Sequence, residues 1–367
     1  MSGDIEARKR EHIDTVLGAD VSAKGVSTGF ERFFFEHAAL PELDLDAVDL
    51  STRLFGRALK APLLISSMTG GTPRARDINR NLAAAAQSLG IAMGVGSQRA
   101  MIEQPALGET YRVRDVAPDI LLFANFGAVQ LNYGYGVDEA RRAVDDIGAD
   151  ALFLHFNPLQ EAVQPGGDRN WAGLYRKVER LASALGVPVV GKEVGNGISG
   201  EVARRLVECG LAGVDVSGAG GTSWSEVEAH RQPDPEVRAV AHVFAGWGIP
   251  TASALADTVR AIPGRPVFAS GGIRDGVDAA KAIRLGAALA GTAAPMLEHG
   301  ADAADAAARR MARMLEELRI AAFCAGAGDI AALRRAVLRR KADWQPVPAI
   351  ADARPDTVSV PRRALRR

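Results

Sequence analysis

Eight short apolar runs divide the middle of this chain: PLLIS (62–66), IAMGV (91–95), ILLFAN (120–125), ALFLHF (151–156), VPVVGKEV (187–194), GVDVSG (213–218), PVFASGG (266–272) and AALAG (287–291). Most lack polar alternation, as expected of strands buried on both faces of a parallel sheet. Amphipathic stretches lie between them, among them ARDINRNLAAAAQSL (75–89), VDEARRAVDDI (137–147) and SGEVARRLVEC (199–209). Eight such alternations predict an α/β fold of the TIM (β/α)8 barrel type, typically ~250 residues long. The competing layout is an open doubly wound sheet, marked by a G-x-G-x-x-G turn after its first strand. Here SSMTGGT (66–72) follows that strand instead.

Composition bounds the rest. Across 367 residues, Lys plus Arg and Asp plus Glu balance at 44 each, so bulk charge gives no case for nucleic acid or a charged membrane surface as partner. Hydrophobic residues make up 47% and aromatics 5%, which suits packed helices and buried strands. Thirty-nine glycines exceed the average usage of about 7%, and they cluster, a sign of loops shaped for a purpose. Cys209 and Cys324 stand far apart within helical patterns, without metal-ligand spacing, as expected in a reducing compartment. The start, MSGDIEARKREHID, lacks the apolar core of a signal peptide. No run of ~18 strongly apolar residues is present to span a bilayer, and a soluble, cytoplasmic protein is expected.

Residues 1–60 show no core of their own and are expected to form an extension packed on the barrel, its start able to act as a lid. Residues 61–340 are expected to form the TIM barrel domain that carries the ligand site. In 341–367 Pro, Ala and charge replace periodicity, which predicts a flexible, disordered tail.

The active site of a TIM barrel lies at the C-terminal ends of its strands, and the polar stretches fall there. SSMTGG follows the first strand and GSQR (96–99) the second, and the third ends in Asn125. HFNPLQE (155–161) closes the fourth and Lys192 lies inside the fifth. SGAGGTSW (217–224), SGGIRDG (270–276) and GTAAP (291–295) follow the last three. Eight clusters in register describe one site. Glycines let backbone N–H groups approach an anion, and a following helix N-terminus adds a favourable dipole. A single Gly-Gly pair is ordinarily a tight turn, but paired loops after strands seven and eight form the standard barrel phosphate seat. They suit a mononucleotide cofactor such as FMN. Lys192 in a buried strand needs an anionic partner or a ligand. Its neighbour Glu193 points to the opposite face, so Lys192 is expected to face the barrel mouth and stabilise negative charge on a reduced flavin.

Taken together, RKREH (8–12), SMTGG (67–71), GSQR, HFNPLQE, PGGDRNW (165–171), KEVGNGI (192–198), GAGGTSW (218–224) and SGGIRDG closely resemble the motifs of the type 2 isopentenyl diphosphate isomerases. These are FMN-dependent enzymes, unrelated in fold to the Nudix-type isomerases. The resemblance runs from about residue 8 to 335, and HxNxxQE and GGTSW are its most specific parts. It implies a TIM barrel that assembles as a homotetramer or homo-octamer. It also implies interconversion of isopentenyl and dimethylallyl diphosphate, a small isoprenoid diphosphate substrate, without net redox change. The needs are reduced FMN, Mg²⁺, and NAD(P)H as reductant.

Carried over residue by residue, the resemblance implies that Ser67, Met68, Thr69, Ser97, Asn125, Lys192, Ser217 and Thr222 hold FMN. Gly271, Gly272, Arg274, Ala293 and Ala294 would seat its phosphate. Arg8, Lys9, His12, Ser97, Gln98 and Arg99 would bind the substrate diphosphate. Gln160 would touch the substrate and Glu161 would hold Mg²⁺. His155, Asn157, Gln160 and Lys192 form the implied catalytic set. Two departures stand out: the loop that often carries an acidic residue has Gly166 here, and the end after Ala336 does not match the family terminus.

HFNPLQE then has a physical account. Mg²⁺ prefers octahedral oxygen coordination and is often held by one carboxylate plus substrate phosphates. Glu161 supplies the carboxylate, while Gln160 and Asn157 offer neutral amides that orient substrate or metal-bound water. His155 either bonds the metal–diphosphate cluster or supports it from behind. The 1,3-proton shift needs a strong acid in a dry pocket, a role that the resemblance assigns to the reduced flavin. An FMN-dependent 2-hydroxy acid oxidase would need a His base after strand six, where SGAGGTSW has Gly and Ala. A nucleotide reductase would need a catalytic loop Cys, and a non-catalytic flavin-binding barrel would bind FMN without turnover.

Overall fold

The computed structural model describes residues 2–343. Eight strands, all parallel, close into a barrel in chain order: β1 (Leu63–Ile65), β2 (Ala92–Gly94), β3 (Leu122–Gly127), β4 (Ala151–Phe156), β5 (Val189–Glu193), β6 (Gly213–Asp215), β7 (Val267–Ala269) and β8 (Leu289–Thr292). β8 pairs back onto β1, with Gly291 opposite Leu64. All eight apolar runs overlap a barrel strand, the eighth strand running one residue further to Thr292. The third is displaced, since the strand begins at Leu122 and carries on past Asn125 to Gly127.

Outside the barrel stand α1 (Ser2–Gly18), α2 (Pro73–Leu89), α3 (Arg99–Glu103), α4 (Val137–Ile147), α5 (Pro158–Val163), α6 (Leu174–Ala184) and α7 (Gly200–Glu208). They are followed by α8 (Trp224–Arg231), α9 (Pro235–Val243), α10 (Thr251–Ala261), α11 (Gly276–Arg284), α12 (Ala294–Asp302) and α13 (Ala304–Cys324). The connections are unequal. Between β2 and β3 stands only the short α3, because Pro105 cannot continue a helix and opens a 3₁₀ segment instead. Between β6 and β7 stand three helices, α8 to α10. Helices start where caps allow: the Thr72 hydroxyl accepts the Ala75 N–H with Pro73 at the first position, and the Ser199 hydroxyl accepts that of Val202.

Successive strand residues face opposite sides, and the register shows what faces inward. On the lower part of the barrel these are Leu64, Phe123, Phe153, Val190, Phe268 and Leu289. Phe123 stacks on Phe153 at 4.2 Å between centroids, and Phe268 meets both edge-on at 5.8 and 6.2 Å. Two residues further along the same strands come Ser66, Asn125, His155, Lys192 and Ser270. The barrel thus has an apolar floor and a polar layer directly above it.

The first sixty residues cover both ends of this barrel. α1 lies over the C-terminal mouth against α8 and α12. A hairpin, Thr52–Leu54 paired with Arg57–Leu59, closes the opposite end. Its two turn residues, Phe55 and Gly56, have φ of 47° and 80°, the mirror-image turn that suits a two-residue hairpin. The Phe55 ring lies 6.3 Å from Phe123 and 6.4 Å from Phe268. Of the expected tail, 341–367, residues Lys341–Asp343 form a short 3₁₀ segment and the rest lies outside the described residues; Leu338–Arg340 before it pairs with Phe33–Phe35. No described helix is long and apolar enough to cross a membrane.

The floor should be energetically central. Phe153→Ala is expected to destabilise the fold by about 3–5 kcal/mol through lost burial and a residual cavity, read as a lower urea midpoint at fixed protein concentration. A change under about 1 kcal/mol would place the core elsewhere.

Candidate active site

The polar layer is the floor of a cavity of about 420 Å³ at the C-terminal mouth. Lys192, on β5, is the charge at its base. Its ammonium donates to Asp215 Oδ2 at 2.7 Å and to Ser270 Oγ at 2.9 Å. Asp215 is fully buried and also accepts the backbone N–H of Ser270 at 3.1 Å. The anionic partner that a buried lysine requires is therefore a residue of the next strand, in register with it. Glu193 faces the other way, and one of its oxygens receives the backbone N–H groups of Val194, Gly195, Asn196 and Gly197. Burial pushes its carboxyl up to about 7 against these four donors.

His155 ends the inward row of β4. Its Nδ1 lies 2.7 Å from Asn125 Oδ1; with that oxygen as acceptor, Nδ1 carries the hydrogen and Nε2 keeps its lone pair. Burial, then Lys9 and Lys192 nearby, lowers its pKa to about 3. The imidazole is neutral.

The turn after β4 gives the rest of HFNPLQE its geometry. Asn157 precedes Pro158 at the first position of α5, so Gln160 and Glu161 fall in its first turn. The Asn157 amide donates to Gln160 Oε1 at 3.1 Å and to Glu161 Oε1 at 2.9 Å. Glu161 Oε2 receives the Gln164 amide and, at 2.7 Å, the backbone N–H of Asp168. Gln160 in turn donates to Glu228 Oε1 at 2.9 Å.

Over this stands α1. Its His12 bonds Glu228 at 3.0 Å and meets the Trp224 ring edge-on at 5.3 Å. Burial leads in lowering the His12 pKa below its usual value. Arg231 joins the same knot, reaching Glu228 and, at 2.8 Å, Glu11. Arg8 and Lys9 have no hydrogen-bond or ion-pair partner among the described residues. Burial, with Arg8 and Arg99 close by, lowers the Lys9 pKa to about 8.

All but one of the site residues expected from sequence line this cavity: Arg8, Lys9, His12, Ser67, Met68, Thr69, Ser97, Arg99, Asn125, His155, Asn157, Gln160, Glu161, Lys192, Ser217, Thr222, Gly271, Gly272, Arg274, Ala293 and Ala294. Gln98 is the exception. Its fully buried side chain turns into the wall, donating to Ala143 O at 2.7 Å and accepting from Asn125 N at 2.8 Å. In the loop after β7, Gly271 and Gly272 have φ of 97° and 75°. A Cβ on Gly271 would fall 2.2 Å from Gly218 O, so the loops after β6 and β7 touch backbone to backbone.

Sequence reasoning missed Asp215, Ser270, Glu228 and Arg231. Asp215 carried a faint signal as a carboxylate inside an apolar run, like Lys192. Glu228 and Arg231 look like an ordinary charged helix until α1 is laid over them.

Comparison with known proteins agrees with this geometry. The FMN-dependent dehydrogenase family model matches residues 2–106 and 161–340. An isopentenyl-diphosphate delta-isomerase of Synechocystis is 61% identical over 331 residues, covering 90% of this chain and 95% of that one. The chain belongs to the isopentenyl-diphosphate delta-isomerase family. A second isopentenyl-diphosphate delta-isomerase, from Stutzerimonas stutzeri, is 58% identical over 335 residues, or 91% of this chain and 97% of that one. Among solved structures, a mandelate oxidase with an FMN adduct superposes with a TM-score of 0.63 at 20% identity, covering 92% of this chain and 99% of the other. That likeness is one of fold. The isomerase family and the FMN-dependent barrel are the same chain seen at two distances.

Two consequences can be measured on this isomerase-family barrel. Lys192→Met leaves Asp215 buried without its cation and is expected to cost about 3–5 kcal/mol, with Asp215→Asn in the same chain recovering part of it. For His155 the folded pKa lies below the usual imidazole value of 6.5. Only the unfolded chain then takes up that proton, so stability is full above 6.5 and is lost as pH falls through it toward 3. In urea titrations at pH 7 and pH 5, His155→Gln should flatten the wild-type loss; parallel losses would exclude His155 as its source.

Proposed function

We propose that this isomerase interconverts isopentenyl and dimethylallyl diphosphate by a 1,3-proton shift, with reduced FMN in the cavity, Mg²⁺ on the diphosphate and NAD(P)H as the reductant. One observation carries the reading. The unpaired cations Arg8 and Lys9 and the carboxylate of Glu161 line the same cavity as Lys192. That arrangement suits an anionic, metal-bound head at the mouth and a flavin below.

The residues fit both groups. The Ser67 and Thr292 hydroxyl oxygens are buried without a partner, and buried polar atoms left in that state ordinarily meet a ligand or water. With the glycine loop after β7 and the start of α12 after β8, they suit FMN, whose phosphate Gly271, Gly272, Arg274, Ala293 and Ala294 would seat. Ser67, Met68, Thr69, Ser97, Asn125, Ser217 and Thr222 would surround its ring and ribityl chain. Toward Mg²⁺, Asn157 Oδ1 is likewise buried without a partner. Glu161 Oε1 accepts one hydrogen bond and Oε2 two, so Oε1 keeps a lone pair for a single metal contact. Diphosphate oxygens and water would complete the octahedron.

Bound reduced FMN supplies the acid–base chemistry. The protein supplies the setting. Lys192, held in place by Asp215, stabilises negative charge at the flavin end of the cavity. Neutral His155 adds no positive charge where a carbocation develops, and the Trp224 indole tolerates that cation. Arg8, Lys9, Ser97 and Arg99 grip the diphosphate. α1, tied down through His12 and Glu228, excludes water. Gln160, held between Asn157 and Glu228, orients the substrate. No His stands in the loop 216–223 after β6, where a 2-hydroxy acid oxidase would need its base.

Assembly as a homotetramer or homo-octamer in the cytoplasm completes the proposal. An apolar stripe on α9 and beyond supports it, with Val237, Val240, Val243 and Trp247 exposed at 41, 57, 80 and 64%.

The test is anaerobic turnover in D₂O with FMN, NAD(P)H, Mg²⁺ and isopentenyl diphosphate, followed by proton NMR. Deuterated dimethylallyl diphosphate without stoichiometric NAD(P)H loss is expected; protein that holds reduced FMN and forms no product would overturn the substrate assignment. Glu161→Gln should lower kcat/KM by about 10–100-fold and raise the Mg²⁺ needed for half-saturation.

A further inference from the structure

The loop after α5 contains a residue, Asp168, that touches both halves of the proposed diphosphate–metal site. Asp168 Oδ2 accepts from Arg99 Nη1 at 2.7 Å and from the Gln130 amide at 2.7 Å. The backbone N–H of the same residue donates to Glu161 Oε2 at 2.7 Å. Its side chain is 13% exposed. One residue therefore fixes a cationic donor with its side chain and a carboxylate acceptor with its main chain.

The surroundings make this a rigid arrangement. Arg99 is gripped on a second side by Glu103, through Nε at 2.7 Å, and Glu103 is itself held by the Tyr135 hydroxyl at 2.7 Å. Two carboxylates thus occupy Nε and Nη1, and Nη2 has no protein partner among the described residues. A guanidinium gripped this way has lost its side-chain entropy before an anion arrives. On the other side, the loop is seated directly on α5. A Cβ on Gly167 would fall 2.0 Å from Glu161 O, and Gly166, at φ 66°, makes the turn that lets it approach. The Trp171 indole closes the loop by donating to Asp168 O at 3.1 Å.

We propose that Asp168 is the positioning residue of the diphosphate–metal site, aiming Arg99 at the diphosphate with its carboxylate and Glu161 at the cation with its backbone N–H. The inference rests on the function proposed above and adds a residue to it. Asp168 does not touch the reacting atoms. It sets the distance between the two groups that do the gripping, so removing its carboxylate should loosen diphosphate and cation together.

The experiment uses FMN-loaded full-length protein with Asp168→Ala, the isosteric Asp168→Asn, and Asp168→Glu. Wild-type turnover is measured first, since its absence would be a failure of the proposed reaction and not of this inference. The KM for isopentenyl diphosphate and the Mg²⁺ half-saturation are then compared. Independently of activity, retention of Mn²⁺ by inorganic pyrophosphate-loaded protein is read from the EPR signal of free Mn²⁺. In Asp168→Ala and Asp168→Asn, KM and both metal constants are expected to rise by about 10-fold or more, while FMN content is kept and kcat falls less. Asp168→Glu should restore part of the loss. A purely structural role would lower thermal stability and FMN content but leave KM and Mn²⁺ retention within about two-fold of wild type. That result overturns the proposal. If Asp168→Ala does not fold, the comparison rests on Asp168→Asn, which keeps the side-chain shape and loses only the charge.

Discussion

A lysine ammonium held inside a barrel decides much about this molecule. An unpaired charge at that depth is costly enough that it would ordinarily be neutralised. The Lys192 ammonium is met by Asp215 on the next strand and by Ser270 just beyond β7. The pair is well bonded, since Asp215 also accepts from the Ser270 hydroxyl and main chain. Such a pair adds little net stability over an apolar one. Its value lies in placing a fixed charge beneath an open cavity. The aromatic layer below makes this possible by sealing the barrel and keeping water from that side.

The polar layer above needs only the alternation of strand side chains. Once Phe123, Phe153 and Phe268 face inward, Asn125, His155 and Ser270 must do so as well. The geometry of the polar layer and the packing of the core are then one constraint. A one-residue slip of any strand would turn its contribution to the site outward and its apolar partner with it.

This explains what could and could not be read from sequence. The eight strands were legible because burial on both faces leaves unbroken apolar runs. Lys192 was legible because it interrupts one of them, and HFNPLQE because polar residues crowd the end of another. The pairing of Lys192 with Asp215 depends on register between strands whose Cα partners lie 23 residues apart, which no local pattern encodes. Gln98 looked like part of a polar loop, yet its amide satisfies the Asn125 and Ala143 backbone. The hairpin at Thr52–Leu59 escaped notice because its apolar residues are few and its turn places a phenylalanine at positive φ, where bulky residues are uncommon.

The cover over the mouth carries a consequence for how the protein is made. His12 and Glu228 are separated by 216 positions and Arg231 and Glu11 by 220. The strand that closes the barrel ends at Thr292. During synthesis α1 leaves the ribosome long before α8 and α12, so the surface that receives it is complete only when most of the barrel has followed. A segment made before the barrel is thus among the last able to settle. Until then its half of the active site stays in solvent, and a nascent chain cannot shelter a ligand before the barrel behind it has closed.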